Sequence, residues 1–209
     1  MTLPLHAADH VEQCRTDIYN YFQSNTACLK HFSEPAHDEE FVAYYNSMYL
    51  LQDSTESLWL HRRCGFTTKP LLAYLEFWGV MQAVTIQQDS ISEIYKVVIG
   101  AELDAKSKGL NGWLNIRRLR NTCAGHPAIT GYPVKKNKRK DKQPVTRTFM
   151  PRKFGNYDEI TYEQWHRDRR GGIVRSHPRV QLGKLLDSYF VEAALQLTCV
   201  LEAMKRRWP

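Results

Sequence analysis

The sequence predicts an all-α fold: an antiparallel helical bundle of about five helices, with a small β-hairpin insertion before the last helix. Three observations carry this reading. Apolar residues recur at steps of three and four over long stretches. Gly, Pro and Ser fall between those stretches. One short, late segment alternates polar and apolar residues around a Gly-Asn pair. With 209 residues, 43% of them hydrophobic, the chain can bury one core. It reads as a single domain over 1–209, with 128–179 as a basic loop and hairpin.

The first helix is expected over His6–His31, where Val11, Ile18, Phe22, Leu29 and Phe32 fall near one face. Ser33-Glu34-Pro35 breaks it, and Pro suits the first turn of the next helix. That second helix, Asp38–Arg62, carries Phe41, Tyr44, Tyr45, Met48, Leu51 and Leu58 at helical spacing. Gly65 and Pro70 bracket the following turn. The third helix, Leu71–Ile99, has the clearest stripe: Tyr74, Phe77, Trp78, Met81, Val84, Gln88, Ile91, Tyr95 and Val98. Gln88 interrupts that stripe and needs a partner, because an unpaired buried amide costs about 1–3 kcal/mol. Gly100 is the expected stop. A shorter fourth helix, Asn111–Cys123, ends at Gly125-His126-Pro127, where Gly permits a left-handed cap and Pro forbids continuation. The last helix, Val180–Arg207, buries Leu182, Leu185, Tyr189, Ala193, Leu197, Val200, Leu201 and Met204. Its final Lys205, Arg206 and Arg207 complement the helix dipole.

Charge is unevenly placed. The chain has a formal net charge of +7. Between Lys135 and Arg179 there are 14 Lys/Arg and 5 Asp/Glu, a net of +9, leaving −2 for the remainder. A basic segment of this kind attracts polyanions. It opens with VKKNKRKDKQP, too polar to pack, which reads either as a solvated loop or as a nucleic-acid contact through Lys135, Lys136, Lys138, Arg139 and Lys140. The hairpin is expected from VTRTFMPRKF and EITYEQWHR, joined by Gly155-Asn156-Tyr157-Asp158.

Several functional classes find no support. The five cysteines are scattered and contain no C-x-x-C pair, which argues against a disulfide framework and a cysteine zinc site. The eight histidines show no H-E-x-x-H motif, so no metal and no cofactor are expected. No Gly-rich phosphate loop suggests an NTPase. No run approaches the roughly 20 apolar residues of a membrane span. The start, MTLPLHAADHVEQCR, lacks a charged region followed by an apolar run, so no secretory signal is expected. A reducing cytoplasm is the expected setting.

The chemistry concentrates in Arg117-Arg118-Leu119-Arg120-Asn121-Thr122-Cys123-Ala124-Gly125-His126-Pro127. His126 stands at a helix end, with an ordinary pKa near neutrality that suits proton transfer (about 6.5). Arg120 offers an always-charged fork for phosphate oxygens. A proton-transfer group and an anion stabiliser are the minimum for cleaving RNA through its own 2′-hydroxyl. An Arg and a His at this spacing also arise as a surface ion pair and a helix cap.

The segment YLEFWGVMQAVTIQQDSISEIYK followed by WLNIRRLRNTCAGHP resembles a bacterial branch of the HEPN superfamily (higher eukaryotes and prokaryotes nucleotide-binding). The resemblance covers residues 71–127 and is looser over the hairpin and last helix. It implies that Arg120 and His126 are the catalytic pair, that Asn121 supports them, and that Asp89 of the preceding helix orients the motif. Asp89 can equally be a surface carboxylate or the partner of Arg118 or Arg120. Of Arg117 and Arg118, one is expected to reach RNA and the other to pair with an acidic neighbour; Arg117 is the RNA-binding candidate. The family implies a homodimer with two such motifs lining one cleft, and a metal-independent endoribonuclease acting as a toxin or in antiviral defence, with an antitoxin or regulatory protein as partner. One subgroup carries a modified tyrosine two residues after the histidine; Ala128 stands there. The alternative is a non-catalytic module that binds RNA, a nucleotide or a protein.

Overall fold

A computed structural model describes residues 7–125, 146–167 and 172–209. Six α-helices dominate it: α1 (Ala7–Ser24), α2 (Thr26–Phe32), α3 (Asp38–Cys64), α4 (Pro70–Ile99), α5 (Asn111–Arg120) and α6 (Leu182–Arg207). The single helix expected over His6–His31 is two. Asn25 has an extended backbone, its side chain accepts a hydrogen bond from Cys28 N (2.8 Å), and its amide donates to Tyr21 Oη and to Trp208 O. An Asn able to cap a new helix favours a restart over continuation. A 3₁₀ turn, Pro35–His37, then leads into α3.

Elsewhere the breaks follow the residues read from the sequence. Pro70 opens α4, whose 30 residues span about 45 Å. Gly100 closes it in the left-handed conformation (φ 77°), its N–H bonding Lys96 O. The buried face of α4 is Phe77, Met81, Val84, Gln87, Gln88, Ile91, Ile94, Tyr95 and Val98. Trp78, placed on that face by spacing alone, is exposed.

Cross-helix bonds set the helix directions. Asp9 meets Trp59 and Arg15 meets Gln52, while Thr55 meets Gln87 and His61 meets Glu76, so α3 runs opposite to α1 and α4. Gln87 also meets Tyr189, and Arg207 meets Val97 and Val98. Thus α6 runs alongside α4 in the same sense, which differs from a wholly antiparallel arrangement. Tyr189, Phe190, Leu197, Val200 and Met204 of α6 fill the centre of the core.

The segment before α6 holds more than one hairpin. Strands β1 (Arg147–Phe149), β3 (Glu163–Arg167) and β4 (Ile173–Ser176) form an antiparallel sheet in the order β1-β3-β4, and β2 (Ile160–Thr161) pairs with β5 (Arg179–Val180). The segment is also not peripheral. Phe154, Tyr157 and Ile160 are buried. Phe154 packs on Phe66 and Phe77, and Tyr157 O accepts from Gly183 N (2.7 Å) at the start of α6. Gly155 makes the turn possible: its φ is 117°, and a Cβ there would sit 2.0 Å from Glu159 O. No helix among the described residues is long and apolar enough to cross a membrane, and all five cysteines are free thiols.

Candidate functional site

Helix α5 carries the arginine-rich stretch and is pinned along its length. At its start, Glu192 of α6 accepts from Gly112 N (2.9 Å) and Trp113 N (2.7 Å). One carboxylate thereby satisfies two N–H groups that a helix N-terminus leaves unpaired. Gly112 lets the helices approach: a Cβ there would lie 2.7 Å from Ser188 Oγ and 2.8 Å from Tyr189 N. Further on, Gln88 Nε2 donates to Trp113 O (2.9 Å), which gives this buried amide a partner for its N–H, while its Oε1 has none among the described residues. Its neighbour Gln87 donates to Thr55 Oγ1 and accepts from Tyr189 Oη, each at 2.8 Å. Burial raises the Tyr189 phenol well above its ordinary range, so it is a neutral donor.

The three arginines separate at the far end of α5. Arg117 pairs with Asp89 (3.0 Å), and both side chains are exposed. Asp89 therefore joins Arg117, not Arg118 or Arg120. Arg118 bonds Asn115 Oδ1 (3.1 Å) of its own helix. Arg120 donates through Nη1 to Asn121 Oδ1 and through Nη2 to Gln82 Oε1, both 3.2 Å. Its two partners are neutral amide oxygens. No carboxylate among the described residues pairs with this guanidinium, so its always-present positive charge is left unneutralised in a held orientation. Gln82 lies within the segment that carries the family resemblance, but the sequence reading gives it no role. The signal that would have found it is its place on α4, seven residues before Asp89 and so on roughly the same side of the helix.

After Arg120 the chain continues as one π turn, Asn121–Gly125. Thr122 Oγ1 bonds Arg118 O (2.8 Å). Cys123 is buried, which pushes its thiol up to about 12 and leaves it unreactive at neutral pH. The turn packs against α4 and against β1. His126, Ala128, Lys135, Lys136, Lys138, Arg139 and Lys140 lie outside the described residues.

Two surfaces flank Arg120. Strand β1 brings the sheet beside the π turn. The register sets Arg147 opposite Trp165, and Trp165 opposite Arg175. This face exposes Phe149, Trp165 and Ile173, with Arg175 over the Trp165 ring (5.7 Å) and bonded to Glu163 (2.6 Å). Exposed aromatics among arginines suit stacked bases and phosphates.

On the other side a groove of about 490 Å³ runs between α3 and α4, lined by Leu50, Ser54, His61, Glu76, Gln82 and Ile86 among others. It places His61 on the same groove as Gln82, the residue that holds Arg120. His61 Nδ1 shares a 2.6 Å hydrogen bond with Tyr157 Oη, and its Nε2 lies 3.6 Å from Glu76 Oε2. Burial lowers its pKa more than Glu76 raises it. This second imidazole was not singled out in the sequence, because its partners come from α4 and the loop after β1. Comparison with protein-family models, curated proteins and solved structures gives no match.

Proposed function

We propose that this chain is a HEPN-type, metal-independent endoribonuclease that works as a homodimer in the cytoplasm. RNA would be its substrate, and a toxin or antiviral-defence role under a regulatory partner its setting. The observation that carries this reading is Arg120: a guanidinium held by two amide oxygens, with no carboxylate among the described residues to neutralise it, six residues before His126. A structural arginine that is partly buried ordinarily meets a carboxylate. An arginine oriented by neutral groups is prepared for an anion.

In the proposed reaction the RNA 2′-hydroxyl attacks the adjacent phosphorus. His126 takes the 2′-hydroxyl proton, or protonates the leaving 5′-oxygen, with the His126 of the second copy available for the complementary step. Arg120 stabilises the charge that develops on the phosphorane oxygens. The P–O5′ bond breaks, leaving a 2′,3′-cyclic phosphate and a 5′-hydroxyl. Asn121 supports the Arg120 fork. Asp89 holds Arg117, and Lys135, Lys136, Lys138, Arg139 and Lys140 would recruit RNA by their charge. The basic and aromatic sheet face next to the π turn supports the same substrate class.

The test is cleavage of end-labelled RNA in EDTA, with mass spectrometry of the product ends. His126→Ala should lose roughly 10²–10⁴-fold in rate, and Arg120→Ala roughly 10²–10³-fold, both with unchanged circular dichroism. DNA should resist. A 3′-hydroxyl product, or full activity in a folded His126→Ala protein, would overturn the assignment.

A further inference from the structure

We propose that His31, His37 and Glu40 form a binding site for a divalent transition metal of the zinc class. The three donors come from three successive elements. His31 ends α2, His37 ends the 3₁₀ turn, and Glu40 stands in the first turn of α3. One ligand atom from each lies within 4.8 Å of the others.

The spacing fits a shared ion better than direct hydrogen bonding. Glu40 Oε2 is 3.4 Å from His31 Nε2 and 3.4 Å from His37 Nδ1. A charge-assisted N–H···O bond closes to about 2.7–2.9 Å. Two ligands on a tetrahedral ion with bonds of about 2.0–2.1 Å stand about 3.3–3.4 Å apart. His37 Nδ1 is in addition buried and has no hydrogen-bond partner, although it faces the carboxylate. A buried imidazole nitrogen without a partner costs free energy, and a metal would satisfy it. Two imidazoles and one carboxylate are a donor set suited to zinc, with a fourth position left for water.

The rings are already constrained. His31 lies against Phe32 (5.1 Å), His37 (3.8 Å) and Trp208 (5.1 Å), centroid to centroid. A competing charge is Arg207, whose Nη2 is 3.4 Å from His31 Nε2. Its Nη1 is bonded to Val97 O and Val98 O. A metal would displace Nη2 from the imidazole while Nη1 keeps its hold on the end of α4. Arg207 is therefore a competitor for the site as well as a cap.

This site is remote from Arg120. Arg207 marks the Val97–Val98 end of α4, and Gln82 lies fifteen residues earlier, about 22 Å along the helix. The metal would clamp the α2–α3 junction against Trp208 and take no part in RNA cleavage. The sequence carries no familiar metal spacing because His31, His37 and Glu40 belong to different elements, brought together only by the turn at Pro35.

The experiment uses the full chain, stripped with chelator and titrated with Zn²⁺ by calorimetry, with Co²⁺ absorption as a second probe. One Zn²⁺ per chain is expected at this site. Glu40→Gln, which preserves shape, and His37→Ala should each weaken that binding roughly 10²-fold or more, while Arg207→Gln should tighten it several-fold. Zn²⁺ at about a hundred times Kd should raise the wild-type Tm by roughly 5–10 °C, with no rise in Glu40→Gln. Unchanged Zn²⁺ affinity in folded Glu40→Gln and His37→Ala proteins, or no saturable Zn²⁺ binding by the wild type, would overturn the proposal.

Discussion

Arg120 and Arg117 are three residues apart on one helix and meet different fates. Arg117 finds Asp89 and is neutralised; Arg120 finds Gln82 and Asn121 and is not. The spacing of charges in the sequence shows that one arginine must face α4, but it does not show which of two neighbouring α4 side chains each will meet. Asp89 was legible as an acidic residue near the motif, and Gln82 was not, because an amide on an exposed face has no pattern of its own. His61 was hidden for a similar reason, since Tyr157 lies 96 residues away. His61 also has a consequence for stability. Burial lowers its folded pKa below the ordinary 6.5, so the unfolded chain binds its proton first as pH falls. Its contribution is complete above about 6.5 and is lost as pH drops through the window between 6.5 and the lowered value. Denaturant midpoints measured from pH 7.5 to 5 should therefore fall in the wild type, and fall less steeply in His61→Gln. Equal slopes would mean that His61 is not the group responsible.

At the scale of elements, the long helices were legible wherever one apolar stripe faces one core, as in α4 and α6. The helix break at Asn25 was missed because a polar cap inside a periodic run looks like any surface residue until its amide reaches Trp208. The segment before α6 was read as a hairpin from alternation alone. Its burial depends on Phe154, Tyr157 and Ile160 meeting α3, α4 and α6, which are long-range contacts that no local pattern reports. Two glycines give opposite expectations for the same substitution. Gly112 of α5 has backbone of α6 within 2.8 Å of where a Cβ would stand, so Gly112→Ala must push α5 and α6 apart, costing about 1–3 kcal/mol. Gly79 of α4 has nothing within 4 Å of its Cβ position. There Gly79→Ala should stabilise the helix by about 0.5–1 kcal/mol. Urea denaturation of both variants checks the pair, and a destabilised Gly79→Ala protein would show that the groove beside it is less open than its geometry indicates.

For the whole molecule, the exposed part of α4 links the site to assembly. Leu71, Leu75, Trp78 and Gln82 follow at steps of four, three and four, so they share one helix face. The first three are large apolar side chains in solvent, at 59%, 60% and 42% exposure. The stripe that should have been buried thus divides: Phe77 and Met81 face the core, while Trp78 faces outward with its neighbours. An apolar strip of this length on a lone chain is unfavourable, and it leads straight to the residue that holds Arg120. A second copy packed on it about a two-fold axis would cover both strips at once, because an isologous interface uses the same patch twice. It would also set two Arg120 side chains near one another, as the proposed dimeric site with one Arg and one His per chain requires. Light scattering after size exclusion should give twice the chain mass of 24.4 kDa for the wild type at micromolar concentration. Leu75→Glu and Trp78→Glu should each shift the protein to monomer, since a carboxylate buried without a partner is strongly unfavourable. Both positions are exposed in the single chain, so circular dichroism and Tm should change little while RNA cleavage falls with the dimer fraction. A monomeric wild type, or dimers that persist in both variants, would place the interface elsewhere.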